Sequence, residues 1–403
     1  MSKKKKNKKR KTKTFKKVLK KGPKNEPLKI NLVTNGKANQ TENPGQIKIK
    51  VIGVGGAGCN VVSRMYSKIK GVEFVALNTD FQSLRHSRAD KKVFVGKNVT
   101  HGLGAGMDPE LGQRAFEENE EEVNKILANT DLVFLTCGLG GGTGSGISPQ
   151  VAELAKRNNA LVIAIVTKPF SFEGGKRMEI ADNAWNRLEE RVDAIITIYN
   201  DRVFNLIDRD TSILKAFGLI DDILRQAVSG IYDLIVYPGL INIDYNNIKA
   251  IMSGAGKSLI GIGAAKGEKR ALKAAEAAIK SPLLDLSIEG ATRVLFNISG
   301  PSDLSLVEVN EVARLITESV DKNAKVVFGA VYDRSNKEKE LKVIVLAGGF
   351  GGESGLHFAT KLPLEIKTET KLPERENIKI NSPPEKDDLE KELEIPAFLK
   401  KKK

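Results

Sequence analysis

Residues 131–150 read DLVFLTCGLGGGTGSGISPQ, an apolar run that passes directly into glycine. Six of the nine residues from Gly138 to Gly146 are glycine, interrupted by Leu139 and the hydroxyls of Thr143 and Ser145. A continuous apolar run reads as a strand buried on both faces, and Pro149 is expected in the first turn of the helix that follows. At such a junction glycines let the backbone turn tightly and leave its N–H groups bare, a nest suited to a polyphosphate.

Two further glycine segments precede this one. GVGGAG, from Gly53 to Gly58, follows the apolar stretch IKIKVIGVG from Ile47 and leads into a helix expected near Asn60. Alone it fits a dinucleotide fingerprint, because Asp80 ends the next strand about twenty residues on, where an acid binds ribose. A nicotinamide-dependent oxidoreductase therefore stays open at this point. GLGAG, residues 102–106, precedes Asp108-Pro109 and another helix. Three such segments after strands converge at the carboxyl edge of one sheet, where α/β folds bind ligands. One mononucleotide triphosphate accounts for all three. A Walker-type loop is excluded at Gly256-Lys257-Ser258, since Ile251 stands where that motif needs glycine.

Outward from these segments, strands are expected at 72–80, 131–139, 160–167 and 194–200, separated by helical patterns such as PELGQRAFEENEEEVNKIL from Pro109. That alternation predicts a parallel α/β sheet covered on both faces. Ile213, Phe217, Ile220, Leu224, Val228 and Ile231 recur at steps of three or four, which predicts one long central helix over 211–237. Residues 46–210 thus form a ligand-binding domain and 238–350 a second, smaller α+β domain.

Composition bounds the rest. Hydrophobic residues make up 40% and charged residues 29%. No run approaches the ~18 apolar residues of a spanning helix. Cys59 and Cys137 are the only cysteines, and His86, His101 and His357 are scattered, so a disulfide framework, a zinc site or another protein-built metal centre is not expected. The net charge of +15 owes fourteen Lys or Arg to residues 1–25, which contain no acid, and 15 − 14 leaves +1 for the rest. Residues 1–45 read as a basic, disordered arm suited at most to anionic surfaces; no specific nucleic-acid partner is expected. Residues 351–391 have linker composition, and 392–403 hold a last apolar cluster, LEIPAFL, ending in lysines.

Taken in order, these features resemble the FtsZ family of bacterial cell-division GTPases, within the tubulin superfamily. GGGTGSG, TKPFSFEGGKRM from Thr167, LINIDYNNIKAIM from Leu240, AIKSPLLD from Ala278 and EIPAFLK from Glu394 carry the similarity. The resemblance implies a tubulin-like GTPase domain that binds GTP and GDP, with Mg2+ held through the phosphates. Gly56, Ala57, Gly58, Cys59 and Asn60, with Gly142, Thr143 and Gly144, would meet phosphates or the adjoining nucleoside. Gly104, Ala105 and Gly106 would close around the γ-phosphate. Glu173 resembles the ribose-binding acid and Arg177 the basic residue beside it. Asn200 and Asp222 would read the guanine edge, with Phe217 against its face.

The resemblance also implies catalysis between subunits, by Asn242, Asp244 and position 247 of one molecule acting on the GTP of the next. The family pattern there is N-x-D-x-x-D, and Asn247 departs from it. An amide orients water but is no base, so hydrolysis is expected to be slow, or the protein is a GTP-binding scaffold that barely turns over. Ile395, Pro396, Phe398 and Leu399 would dock on membrane-tethering division proteins. The implied setting is a head-to-tail homopolymer at the division site in the cytoplasm.

Overall fold

The computed structural model describes residues 47–350 apart from 67, 70, 209, 237–239, 242, 282–286 and 333–338. Its first half alternates strands and helices. β1 (Ile49–Val54) leads into α1 (Gly55–Met65), and β2 (Glu73–Asn78) into α2 (Phe81–His86). β3 (Lys91–Phe94) precedes α3 (Lys97–Thr100), α4 (Pro109–Glu117) and α5 (Glu120–Leu127). β4 (Leu132–Gly138), α6 (Gly142–Arg157), β5 (Leu161–Lys168), α7 (Gly175–Glu189) and β6 (Ala194–Tyr199) complete it. α8 (Ile213–Val236) follows, then α9 (Tyr245–Met252), β7 (Gly256–Ala265), α10 (Arg270–Ile279), β8 (Arg293–Gly300), α11 (Leu306–Glu318), β9 (Lys325–Tyr332) and β10 (Leu341–Gly348).

The strands form one sheet in the order β3-β2-β1-β4-β5-β6-β7-β10-β8-β9. β1 to β6 pair in parallel. β7 joins the two halves: Gly256–Ser258 pair in parallel with Ala194–Ile196, and Leu259–Ala265 run antiparallel to β10. The Gly256-Lys257-Ser258 triplet thus lies in a strand, consistent with its failure as a phosphate loop.

Alternation along β4 builds both cores. Leu132 and Phe134 face α1 and α8, meeting Val62, Met65, Ile220, Leu224 and Ile231. Val133 and Leu135 face the opposite layer, with Phe116, Leu127, Ile147, Val151 and Leu188. The stripe of α8 is buried from Ile220 onward, while Ile213 and Phe217 at its start stay exposed. A third cluster packs the alanine-rich face of α10 and Val312 and Ile316 of α11 against β8 and β10.

Two of the three glycine segments differ from the sequence expectation: residues 55–58 and 142–146 are the first helical turns themselves rather than loops before the helices, whereas 102–106 precede α4 without helical structure, as expected. α1 begins at Gly55 instead of near Asn60, and α6 at Gly142, so Pro149 sits inside the helix and not in its first turn. Backbone packing overrides the low helix propensity of glycine. Gly58 lies against the Thr136 carbonyl and Gly53, Gly142 against Ala105 and Asp108, and Gly146 against Pro109, where any Cβ would collide. The pattern from Pro109 also divides into α4 and α5. At the break, Asn119 Oδ1 accepts from the Gly96 N–H at 3.0 Å. β3, a short lysine-bearing strand at the sheet edge, was not apparent in the sequence; edge strands of this kind carry little apolar pattern.

Gly263 offers a test of the backbone-packing argument. A Cβ there would press on the carbonyl of Ala274 and the N–H of Ala278 in α10, whereas a Cβ at Gly56 meets nothing within 4 Å. Gly263→Ala is expected to lower stability by roughly 1–3 kcal/mol, and Gly56→Ala to leave it unchanged or raise it by up to about 1 kcal/mol, measured by urea unfolding without nucleotide.

Candidate nucleotide site

A cleft of about 330 Å³ opens at the carboxyl edge of β1 and β4. Gly55, Gly56 and Ala57 of α1 line one side, and Gly142, Thr143 and Gly144 of α6 the other. The two helix starts nearly touch: a Cβ on Gly55 would stand 3.2 Å from the Gly144 nitrogen. Neither helix has a side-chain cap or an acid in its first turn. Their leading N–H groups therefore lack intrahelical partners, and both dipoles present their positive ends to the cleft. That is an anion site built from backbone. Ser145 fixes the turn by accepting the Gly140 N–H at 2.9 Å.

The other end of the cleft suits a nucleoside. Arg177 Nη1 lies 3.0 Å from Glu173 Oε2, and Glu173 Oε1 accepts the Phe170 N–H at 2.9 Å. Asn200, at the start of a short 3₁₀ turn after β6, is only 7% exposed. Its Oδ1, the Arg177 Nε and the Thr136 Oγ1 are buried with no protein partner, and all three residues line the cleft. Unsatisfied polar atoms at a pocket wall fit a ligand that supplies the missing bonds. Phe217 is 44% exposed, with its ring set edge-on to Phe170 at 5.6 Å.

The structure gathers Gly56, Ala57, Gly142, Thr143, Gly144, Glu173, Arg177, Asn200 and Phe217 around the cleft. Gly58, Cys59 and Asn60 lie further along α1. Gly58 packs on β4, Cys59 is buried with its Sγ 3.6 Å from the Leu77 carbonyl, and Asn60 is exposed. Burial pushes the Cys59 and Cys137 thiols up to about 12, so both are neutral. Gly104, Ala105 and Gly106 stand beside α6, with Ala105 buried against Gly142 and open space around Gly106.

Asp222 does not line the cleft; its Oδ1 accepts from Arg225 Nε at 3.1 Å. Asp221 lines it instead, its Oδ2 held by Arg64 Nε of α1 at 2.9 Å. The sequence carried a signal for this: Phe217, Ile220, Asp221 and Leu224 follow the three- and four-residue steps of one helix face, and all four line the cleft.

The acid-bearing loop lies at the opposite, amino edge of the sheet. Asp244 caps α9, its Oδ1 accepting the Asn247 N–H at 2.7 Å. Asp244 and Asn247 are exposed. Tyr245 Oη donates to the carbonyl of Asp131, just before β4, at 2.6 Å. α8 spans the interval, about 36 Å at 1.5 Å per residue. Asn242 and the C-terminal residues Ile395, Pro396, Phe398 and Leu399 lie outside the described residues.

Two backbone-lined helix ends beside a nucleoside-sized recess, with an exposed acid loop at the far edge, define a nucleotide-binding fold of the tubulin class. The family model described as "Tubulin/FtsZ family, GTPase domain" matches residues 48–208, and "FtsZ family, C-terminal domain" matches 256–351. An empty FtsZ dimer from M. jannaschii is 42% identical, over 75% of this chain and 88% of that one, with a TM-score of 0.72. CetZ1 from Haloferax volcanii, a GDP-bound monomer, shares the fold at 24% identity and TM-score 0.66, over 75% of this chain and 94% of that one. CetZ2 from the same organism, a GTPγS-bound protofilament, does so at 22% and 0.65, over 75% and 93%. The chain belongs to the tubulin/FtsZ family and, within it, to the FtsZ family. Among the described residues no helix is long and apolar enough to cross a membrane.

Asp221 has a pH signature. Burial, reinforced by Asp222 and opposed by Arg64, pushes its carboxyl up from 3.8 to about 6. A carboxyl whose folded pKa lies above its unfolded value costs stability once ionised, the cost growing as pH rises from about 4 through about 6. The melting temperature of Asp221→Asn relative to the parent chain is therefore expected to improve between pH 4.5 and pH 7.5.

Proposed function

We propose that this chain is a cell-division GTPase that binds GTP in the cleft, stacks head to tail into filaments, and hydrolyses GTP where one molecule's 242–247 loop meets the next molecule's cleft. The observation that carries this reading is the placement of Asp244 at the amino edge of the sheet and of the cleft at its carboxyl edge. A loop that cannot reach its own cleft acts on a neighbour's, and a heterologous contact of that kind propagates instead of closing.

In this reading the N-terminal turns of α1 and α6 grip the phosphates by backbone N–H groups. Gly104, Ala105 and Gly106 close over the terminal phosphate, and Gly58 to Asn60 support the nucleoside side. Glu173 and Arg177 take the ribose, Phe217 the base face, and Asn200 with Asp221, which replaces Asp222 at the cleft wall, the base edge. A carboxylate accepts both guanine N1–H and the amino group, a donor pair adenine lacks. Magnesium would be held through the phosphates and would supply positive charge there. Ile395, Pro396, Phe398 and Leu399 form the peptide that docks on a membrane tether at the division site, in the cytoplasm, with the basic arm free to meet anionic surfaces.

A slow enzyme, or a scaffold with little turnover, is favoured by Asn247. Its side chain is exposed where the family pattern has a second carboxylate, and its N–H already occupies one oxygen of Asp244. Asp244 is left as the acid that positions the attacking water, and positioning is a large part of phosphoryl transfer.

Shared catalysis predicts that GTPase rate per molecule rises above a threshold protein concentration; a rate that stays flat on dilution rules it out. Asn247→Asp is expected to raise kcat on the order of 10-fold, below the ~10²-fold that a full proton-transfer group supplies because Asp244 already positions the water. An unchanged kcat would show that position 247 imposes no handicap.

A further inference from the structure

Thr79 has no role in the site as described so far. It follows β2, is fully buried, and its hydroxyl lies 2.6 Å from the hydroxyl of Thr143, on the first turn of α6 at the cleft wall. The carbonyl of Thr79 accepts the Gly104 N–H at 3.3 Å and the Thr100 hydroxyl at 3.2 Å. One buried residue thus holds two of the three glycine segments, the first by its side chain and the second by its backbone.

We propose that Thr79 is a positioning residue for nucleotide binding: its hydroxyl donates to Thr143 Oγ1, so that the single proton of Thr143 is turned into the cleft toward a phosphate oxygen. The inference rests on the GTP-binding reading above. A hydroxyl has one proton and two lone pairs, and at 2.6 Å one of the two threonines donates to the other. Were Thr143 the donor, it would present only lone pairs to an incoming anion. With Thr79 as donor, Thr143 becomes a directed donor, and a hydroxyl that accepts one bond donates a stronger one. The Gly104 bond uses the Thr79 backbone, so a side-chain substitution leaves it in place and isolates the hydroxyl.

The test measures affinity of the full-length chain for a non-hydrolysable GTP analogue, with nucleotide-free melting temperature as a folding control. Thr79→Val is expected to weaken binding about 5- to 10-fold, the effect of one lost hydrogen bond. Thr79→Ser, which keeps the hydroxyl, should stay within about 2-fold of the parent. Thr143→Val should also weaken binding, and adding Thr79→Val to it should change nothing further. A purely structural role would instead make the two losses multiply, and that result, or an unchanged Thr79→Val, overturns the proposal. If Thr79→Val does not fold, Thr79→Cys replaces it: its weak donor should give an intermediate loss, and parent-like affinity overturns the proposal. Failure of the underlying reading looks different, because the parent chain itself then binds no guanine nucleotide.

Discussion

The structure depends on backbone pressed against backbone at the carboxyl edge of the sheet. Gly53, Gly58 and the Thr136 carbonyl meet without intervening side chains, and Gly55 does the same with Gly144. Only that closeness allows two helices to begin within a few ångströms of each other. Each brings roughly half a positive charge and a set of unpaired donors. Two like ends side by side repel each other, and an anion between them removes the repulsion. The paired helix ends therefore favour an anion in the cleft before any side chain is considered.

α8 gives this site its reach. Its start supplies Phe217, Ile220, Asp221 and Leu224 to the cleft, and its later turns are buried against both halves of the sheet, with Gly230 lying on Ile344 of β10. The buried stripe keeps one end of the molecule in register with the other. Arg64 adds a direct tie between α8 and the helix that carries the first glycine segment.

Much of this was legible in the sequence because its signals are local. Continuous apolar strands, the stripe of α8 and the glycine density at 138–146 each report on a few neighbouring residues, and the structure has them at those positions. The boundaries of α1 and α6 were not legible, since glycine favours a loop unless something packs against it, and what packs here comes from Thr136, Ala105 and Pro109, distant in sequence. Asp221 and Asp222 are adjacent and chemically identical; only the phase of α8 separates them. Thr79 and Thr136 gave no signal at all, because a lone threonine at a strand end is unremarkable until the surrounding chain buries it.

The placement of the cleft at one edge and Asp244 at the other makes the two ends of the molecule chemically distinct. Anything assembled by stacking such molecules inherits an arrow. In the proposed filament, one tip would present an open cleft and the other a bare acid loop, so that uptake of ligand and its consumption would be separated in space.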